Sequence, residues 1–146
     1  MKLKIVGLIM LIAIGLNSVT AKINKTEVPQ AVLEAFNKKY PKATDVEWEK
    51  DDLNYEVEFE LEKVEYEATF SEDGTWLETE TEITAKDLPE KVASAFKATY
   101  PKVKIKGVEK VETPKISFYE IEYKKGLKKR EAFFDKDGNP LESDDE

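Results

Sequence analysis

The stretch VPQAVLEAFNKKYPK, residues 28–42, returns sixty positions later as LPEKVASAFKATYPK, residues 88–102. Pro29, Val32, Ala35, Phe36, Tyr40, Pro41 and Lys42 all recur at that spacing. Val28, Val32, Ala35, Phe36 and Tyr40 follow the three-and-four rhythm of one apolar helix face. Thr26 and Asp87 are the expected caps, with Pro29 and Pro89 in the first turn, where a missing N–H costs nothing. Tyr40-Pro41 and Tyr100-Pro101 end the helices, since proline disfavours helical geometry in the residue before it.

Working outward, a second set of echoes appears at a spacing of sixty-four. Tyr55-Glu-Val-Glu-Phe59 returns as Tyr119-Glu-Ile-Glu-Tyr123, and Asp73-Gly74 as Asp137-Gly138. The drift from sixty to sixty-four places a four-residue insertion between the second helix and its paired strands. Tyr55, Val57, Phe59 and Leu61 alternate with glutamates, and Val64, Tyr66, Ala68 and Phe70 do the same, which is the period of a half-buried strand. Asp73-Gly74 reads as a tight turn tolerant of positive φ. Strands are expected at Val46 to Glu49, Tyr55 to Leu61, Val64 to Phe70 and Thr75 to Glu82. The second set is Val108 to Val111, Ser117 to Lys124, Lys128 to Phe134 and a short strand near Leu141. The fold class is α+β: a tandem repeat of a helix plus a four-stranded antiparallel meander, forming one curved sheet of about eight strands with helices on one face. The repeats span about 28–83 and 88–142, within a single domain of residues 22–146.

Residues 1–21 read as a signal peptide. Lys2 and Lys4 precede an apolar run from Ile5 to Leu16, and Val19-Thr20-Ala21 is a small-residue cleavage site. The run is shorter than the roughly 20 residues that span a bilayer. The expected product is periplasmic or secreted, with no membrane partner after cleavage. The chain contains no cysteine and no histidine. Thiol nucleophiles, imidazole bases and Cys/His zinc sites are therefore excluded, leaving carboxylate chemistry, oxygen-ligand metals or binding.

The Phe-x-x-x-Tyr-Pro helix end, the Tyr-x-Val-x-Phe strand and the Phe-x-x-Asp-Gly turn, in order and twice, resemble the PepSY-like domain of exported Bacteroidetes proteins. That family is similar to β-lactamase inhibitory protein in its tandem repeat. The resemblance covers about residues 28 to 142 and implies a periplasmic or secreted binding or inhibitory protein without catalysis. It brings no functional residue with it, and the disulfides of the lactamase inhibitor have no counterpart here.

Charge is placed unevenly. Residues 22–83 carry seven lysines against eighteen acidic residues, a net of −11, whereas residues 84–146 carry fourteen basic against thirteen acidic residues. By strand parity Glu56, Glu58, Glu60, Glu62, Glu65, Glu67, Glu78, Glu80 and Glu82 face away from the core, with Trp76 among them. Directly opposed like charges repel. The functional reading is a landing surface for a protein or peptide, cationic if the glutamates carry the contact, with Trp76 as anchor. The plain reading is a solvated face whose glutamates discourage aggregation. The second half offers Phe118 and Phe133 on its equivalent face, a more aromatic alternative. The candidate partner-binding residues are thus Glu56, Glu58, Glu60, Glu65, Glu67, Trp76, Glu78, Phe118 and Phe133.

Residues 135–146 place oxygen donors at positions one, three, five, nine and twelve of a calcium loop, but Pro140 stands where glycine is needed. Asp137-Gly138 is therefore read as a hairpin turn, no metal ligand is assigned, and a calcium-binding or calcium-responsive protein remains the alternative function. No catalytic residue is expected: a working carboxylate pair needs environments that push its pKa values apart. Nucleic-acid binding is not expected of so acidic a chain.

Overall fold

The computed structural model describes residues 21–142. The expected signal peptide up to residue 20 and the last four residues of the calcium-loop pattern lie outside the described residues. The strands are β1 (Ala21–Ile23), β2 (Thr44–Asp51), β3 (Asn54–Leu61), β4 (Val64–Ser71), β5 (Trp76–Glu82), β6 (Lys104–Glu112), β7 (Ser117–Lys125), β8 (Lys128–Asp135) and β9 (Pro140–Leu141). Helix α1 (Gln30–Lys39) precedes β2, and α2 (Glu90–Thr99) precedes β6. Strands β1 to β5 are neighbours in sequence order, and so are β6 to β9.

The expected number was about eight, and β1 is the addition. Its origin is visible in the sixty-residue spacing, which carries Ile23 onto Ile83. Ile23 pairs with Trp48, and the Ile83 N–H donates to the Val108 carbonyl at 2.9 Å. The chain just before each helix thus forms the outer neighbour of the first strand after that helix.

The described residues group into two compact units, one of residues 21–81 with 112–116, the other of 82–111 with 117–142. In the first, α1 buries Val32 and Phe36 against Trp48, Tyr55, Val57, Phe59, Ala68 and Phe70. The Phe36 ring meets Trp48, Phe59 and Phe70 edge-on, with centroids 5.3, 5.2 and 6.3 Å away. Such edge-to-face contacts place positive ring edges on negative faces. In the second, α2 buries Val92 and Phe96 against Val108, Ile121, Tyr123, Ala132 and Phe134. Phe96 meets Tyr123 and Phe134 edge-on at 5.5 and 6.2 Å.

Each Asp-Gly turn is held against the first turn of its own helix. Gly74 has φ +84°, and a Cβ there would lie 2.5 Å from the Ala31 carbonyl oxygen. Gly138 has φ +81°, and a Cβ would lie 2.6 Å from the Lys91 oxygen. Only glycine combines that backbone geometry with that approach. The helix starts differ from expectation. Pro29 and Pro89 are themselves the caps, with ψ near 143° and 140°. Thr26 instead sits in a 3-10 turn, Lys25–Glu27, and the Asp87 carboxylate accepts from the Thr84 N–H at 3.1 Å and hydroxyl at 2.6 Å. Extended geometry at the proline shifts each helix start one residue later, and the preceding turns are closed by the Glu27 and Asp87 carboxylates.

Candidate functional site

Strand register decides which side chains share a surface. In the first unit, Trp48, Val57, Ala68 and Thr79 form one row, and Lys50, Tyr55, Phe70 and Trp76 another; both face α1. The alternate rows face away: Glu47, Glu58, Glu67 and Glu80, then Glu49, Glu56, Thr69 and Glu78. Glu60 pairs with Glu65 on the same side. Of the candidate residues, Glu56, Glu58, Glu60, Glu65, Glu67 and Glu78 are therefore brought together on one face. Glu58 and Glu65 are exposed, Glu56, Glu60 and Glu67 partly so, and Glu78 is buried.

Trp76 is not among them. The register slips between Thr69 and Phe70, so that Phe70 pairs with Trp76 while Thr69 pairs with Glu78. This bulge at Leu77 turns Trp76 to the α1 side, because one extra residue exchanges the faces. The Lys39 ammonium sits 3.5 Å from the Trp76 ring centroid. The indole N–H donates to the Glu78 carbonyl at 2.7 Å and the Thr79 hydroxyl at 2.8 Å. Thr79 in turn bonds the Tyr40 hydroxyl. Trp76 is committed to holding α1 on the sheet. The adjacent apolar pair Trp76-Leu77, which breaks a period of two, was the signal available in the sequence.

Burial unsettles the carboxylates. Glu78 is 3% exposed, and that burial, with Glu67 nearby, pushes its pKa up to about 7. Glu56 is likewise pushed up to about 7, by burial first and then by Glu67, Asp51, Glu49 and Glu78. Glu47 is held by Lys22 at 2.5 Å in an exposed pair. Both raised carboxylates move in the same direction, so they do not separate into an acid and a base.

In the second unit the face away from α2 takes another form. Phe118 and Phe133 lie there, but they are 1% and 6% exposed, with centroids 6.2 Å apart. They form a buried edge-on pair instead of an open aromatic surface. Leu141 pairs with Phe133. Burial raises the Glu109 pKa, assisted by Glu82, Glu131 and Glu122.

Sequence reasoning missed a cleft of about 450 Å³ between β1, α1 and the start of β2, lined by Ile23, Leu33, Phe36, Tyr40, Val46 and Trp48 among others. Among the described residues the buried Trp48 indole N–H has no hydrogen-bond partner, which costs roughly 1–3 kcal/mol. Trp48 has Val108 as its counterpart, sixty residues later.

The Asp135 turn is organised by its own chain. Its carboxylate accepts from the Asp137 N–H at 2.8 Å, the Asn139 N–H at 2.9 Å and the Asn139 amide at 2.8 Å. Among the described residues no group of three or more acidic side chains is placed to hold a metal.

The family model described as "Putative beta-lactamase-inhibitor-like, PepSY-like" matches residues 16–65 and 61–142. A BLIP-like protein of Bacteroides fragilis is similar at 30% identity and TM-score 0.72, over 78% of this chain and 84% of its own. A DUF2874 family protein of Bacteroides ovatus is 28% identical, with TM-score 0.73 over 78% and 84% of the two chains. A Bacteroides eggerthii structure described as "putative periplasmic proteins" is 25% identical, with TM-score 0.72 over 79% and 86%. No curated protein matches.

Proposed function

Because this chain belongs to the PepSY-like, β-lactamase-inhibitor-like family, we propose that it is a non-catalytic binding protein of the periplasm, capturing a cationic protein or peptide on the acidic face of its first unit. The finer architecture belongs to the same reading: one domain over residues 22–146, built from two copies of a helix and four-stranded meander. The observation that carries the proposal is the register. Glu47 opposes Glu58, Glu49 opposes Glu56, Glu58 opposes Glu67, Glu60 opposes Glu65, and Glu67 opposes Glu80. Directly opposed like charges destabilise a sheet, and a cationic partner would relieve that repulsion. The periplasmic assignment is supported by the description of the Bacteroides eggerthii relative. No helix among the described residues is long and apolar enough to cross a membrane.

The test is capture on an immobilised lysine-rich peptide across a salt series. Glu58→Lys with Glu60→Lys should abolish capture and flatten its salt dependence, because complementary charge governs both. Undiminished capture by the double variant removes the acidic face from the reading.

A further inference from the structure

The β7–β8 hairpin carries a feature that the acidic face does not explain. Its end reads Lys124-Lys125-Gly126-Leu127-Lys128-Lys129-Arg130, five cations in seven residues of a chain whose net charge is −8. The register pairs Lys124 with Lys129, Lys125 with Lys128 and Tyr123 with Arg130. Like charges thus stand directly opposite one another at the hairpin end, as the glutamates do elsewhere. All of residues 124–130 are exposed, and Leu127 at the tip is 101% exposed. Gly126 has φ +65°, so the chain reverses in a two-residue turn that projects Leu127 from the tip. Among the described residues, one of these cations meets a carboxylate: Lys129 bonds Glu122 at 3.1 Å.

Parity distributes the charge around the tip. Lys124 and Lys129 lie on the face away from α2, whereas Lys125, Lys128 and Arg130 lie on the other. A partner docking against one sheet face would meet only part of this set. A planar anionic surface approached along the strand axis would meet all of it, with Leu127 entering first. From the first unit comes the contrast: the hairpin sixty-four residues earlier reads Glu60-Leu61-Glu62-Lys63-Val64-Glu65-Tyr66.

We propose that the β7–β8 hairpin is a peripheral membrane-docking element, in which Lys124, Lys125, Lys128, Lys129 and Arg130 contact anionic phospholipid headgroups and Leu127 inserts between them. A cation near an anionic bilayer contributes about fivefold in affinity, and a buried aliphatic side chain adds an apolar contribution that salt does not screen. The expectation of no membrane partner rested on removal of a short apolar run, whereas docking at a headgroup surface needs no spanning segment. The proposal stands independently of the acidic face.

The experiment is co-sedimentation of the protein, its apolar leader removed, with vesicles of phosphatidylcholine alone or with about one third phosphatidylglycerol. The expected result is binding to the anionic vesicles only, weakened by salt. Leu127→Ser should lower affinity about tenfold at unchanged charge. Lys125→Glu with Lys128→Glu should abolish binding while the melting temperature is retained, since both side chains are exposed. Absence of binding to anionic vesicles at low salt overturns the proposal. So does full affinity in Leu127→Ser, which would mark a site for soluble polyanions. Salt-sensitive self-association lost in the charge-reversed variant, without vesicle binding, would assign the hairpin to a second copy of this chain.

Discussion

The face of the sheet turned toward each helix and the face turned away have diverged to different extents in the two units. Toward the helix, Phe36 corresponds to Phe96, Val57 to Ile121, Phe59 to Tyr123, Ala68 to Ala132 and Phe70 to Phe134. Away from it, Asn54 corresponds to Phe118, Thr69 to Phe133 and Glu65 to Lys129. Packing density accounts for the first pattern, because a close-packed interface tolerates little change in volume. On the other face the first unit buries polar groups, Asn54, Thr69 and Glu78, where the second buries Phe118 and Phe133. The lesson is that one backbone supports two opposite solutions wherever a helix does not dictate shape.

The strongest way to break this comparison is at the turn glycines, which should behave alike if the helix side is common to both units. Gly74→Ala and Gly138→Ala each force a Cβ onto a helix carbonyl at positive φ. Each should cost about 3 kcal/mol by denaturant unfolding. A large loss at one position and none at the other would show that the helix sides are not equivalent.

A smaller effect of opposite sign should separate the other faces. Glu78 has a folded pKa raised to about 7, above its ordinary value of 4.5. The folded state then holds the proton more tightly, so the contribution of Glu78 to stability is full below pH 4.5 and is lost as pH rises through about 7. Glu78→Gln should stabilise the protein by about 2 kcal/mol at pH 8 and have little effect at pH 4. Melting curves at the two pH values check this, and a uniform effect would refute the burial argument.

The least change is expected at the hairpin ends. In the first unit Glu62 and Lys63 have φ of 52° and 69°, left-handed geometry that suits asparagine and glycine. Glu62→Asn with Lys63→Gly should raise stability by about 1 kcal/mol. The equivalent hairpin already has Gly126 in its turn, so Gly126→Ala should lower stability by a similar amount.

Much of this was legible in the chain. Period-two alternation located β3 and β4, the repeat carried the strand pattern into the second unit, and the echo of Phe36 in Phe96 located both helix faces. The same parity correctly grouped Glu56, Glu58, Glu60, Glu65, Glu67 and Glu78. It failed at Trp76, because a single bulge reverses every assumption of parity beyond it. It also misjudged Phe118, Phe133 and Glu78, which alternation assigns to a face without saying whether that face is wet. The ninth strand was hidden because β1 has three residues, too few to show a period.

The sequence by itself determined the helices, the strands, the glycine turns and the side of the strand on which most residues fall. These follow from local geometry, the 3.6-residue and two-residue periods and the steric limits on φ. Tertiary structure alone decided which carboxylates lose water, where Trp76 turns and which indole N–H is left unpaired. Desolvation and register depend on residues distant in the chain, and no local period encodes them.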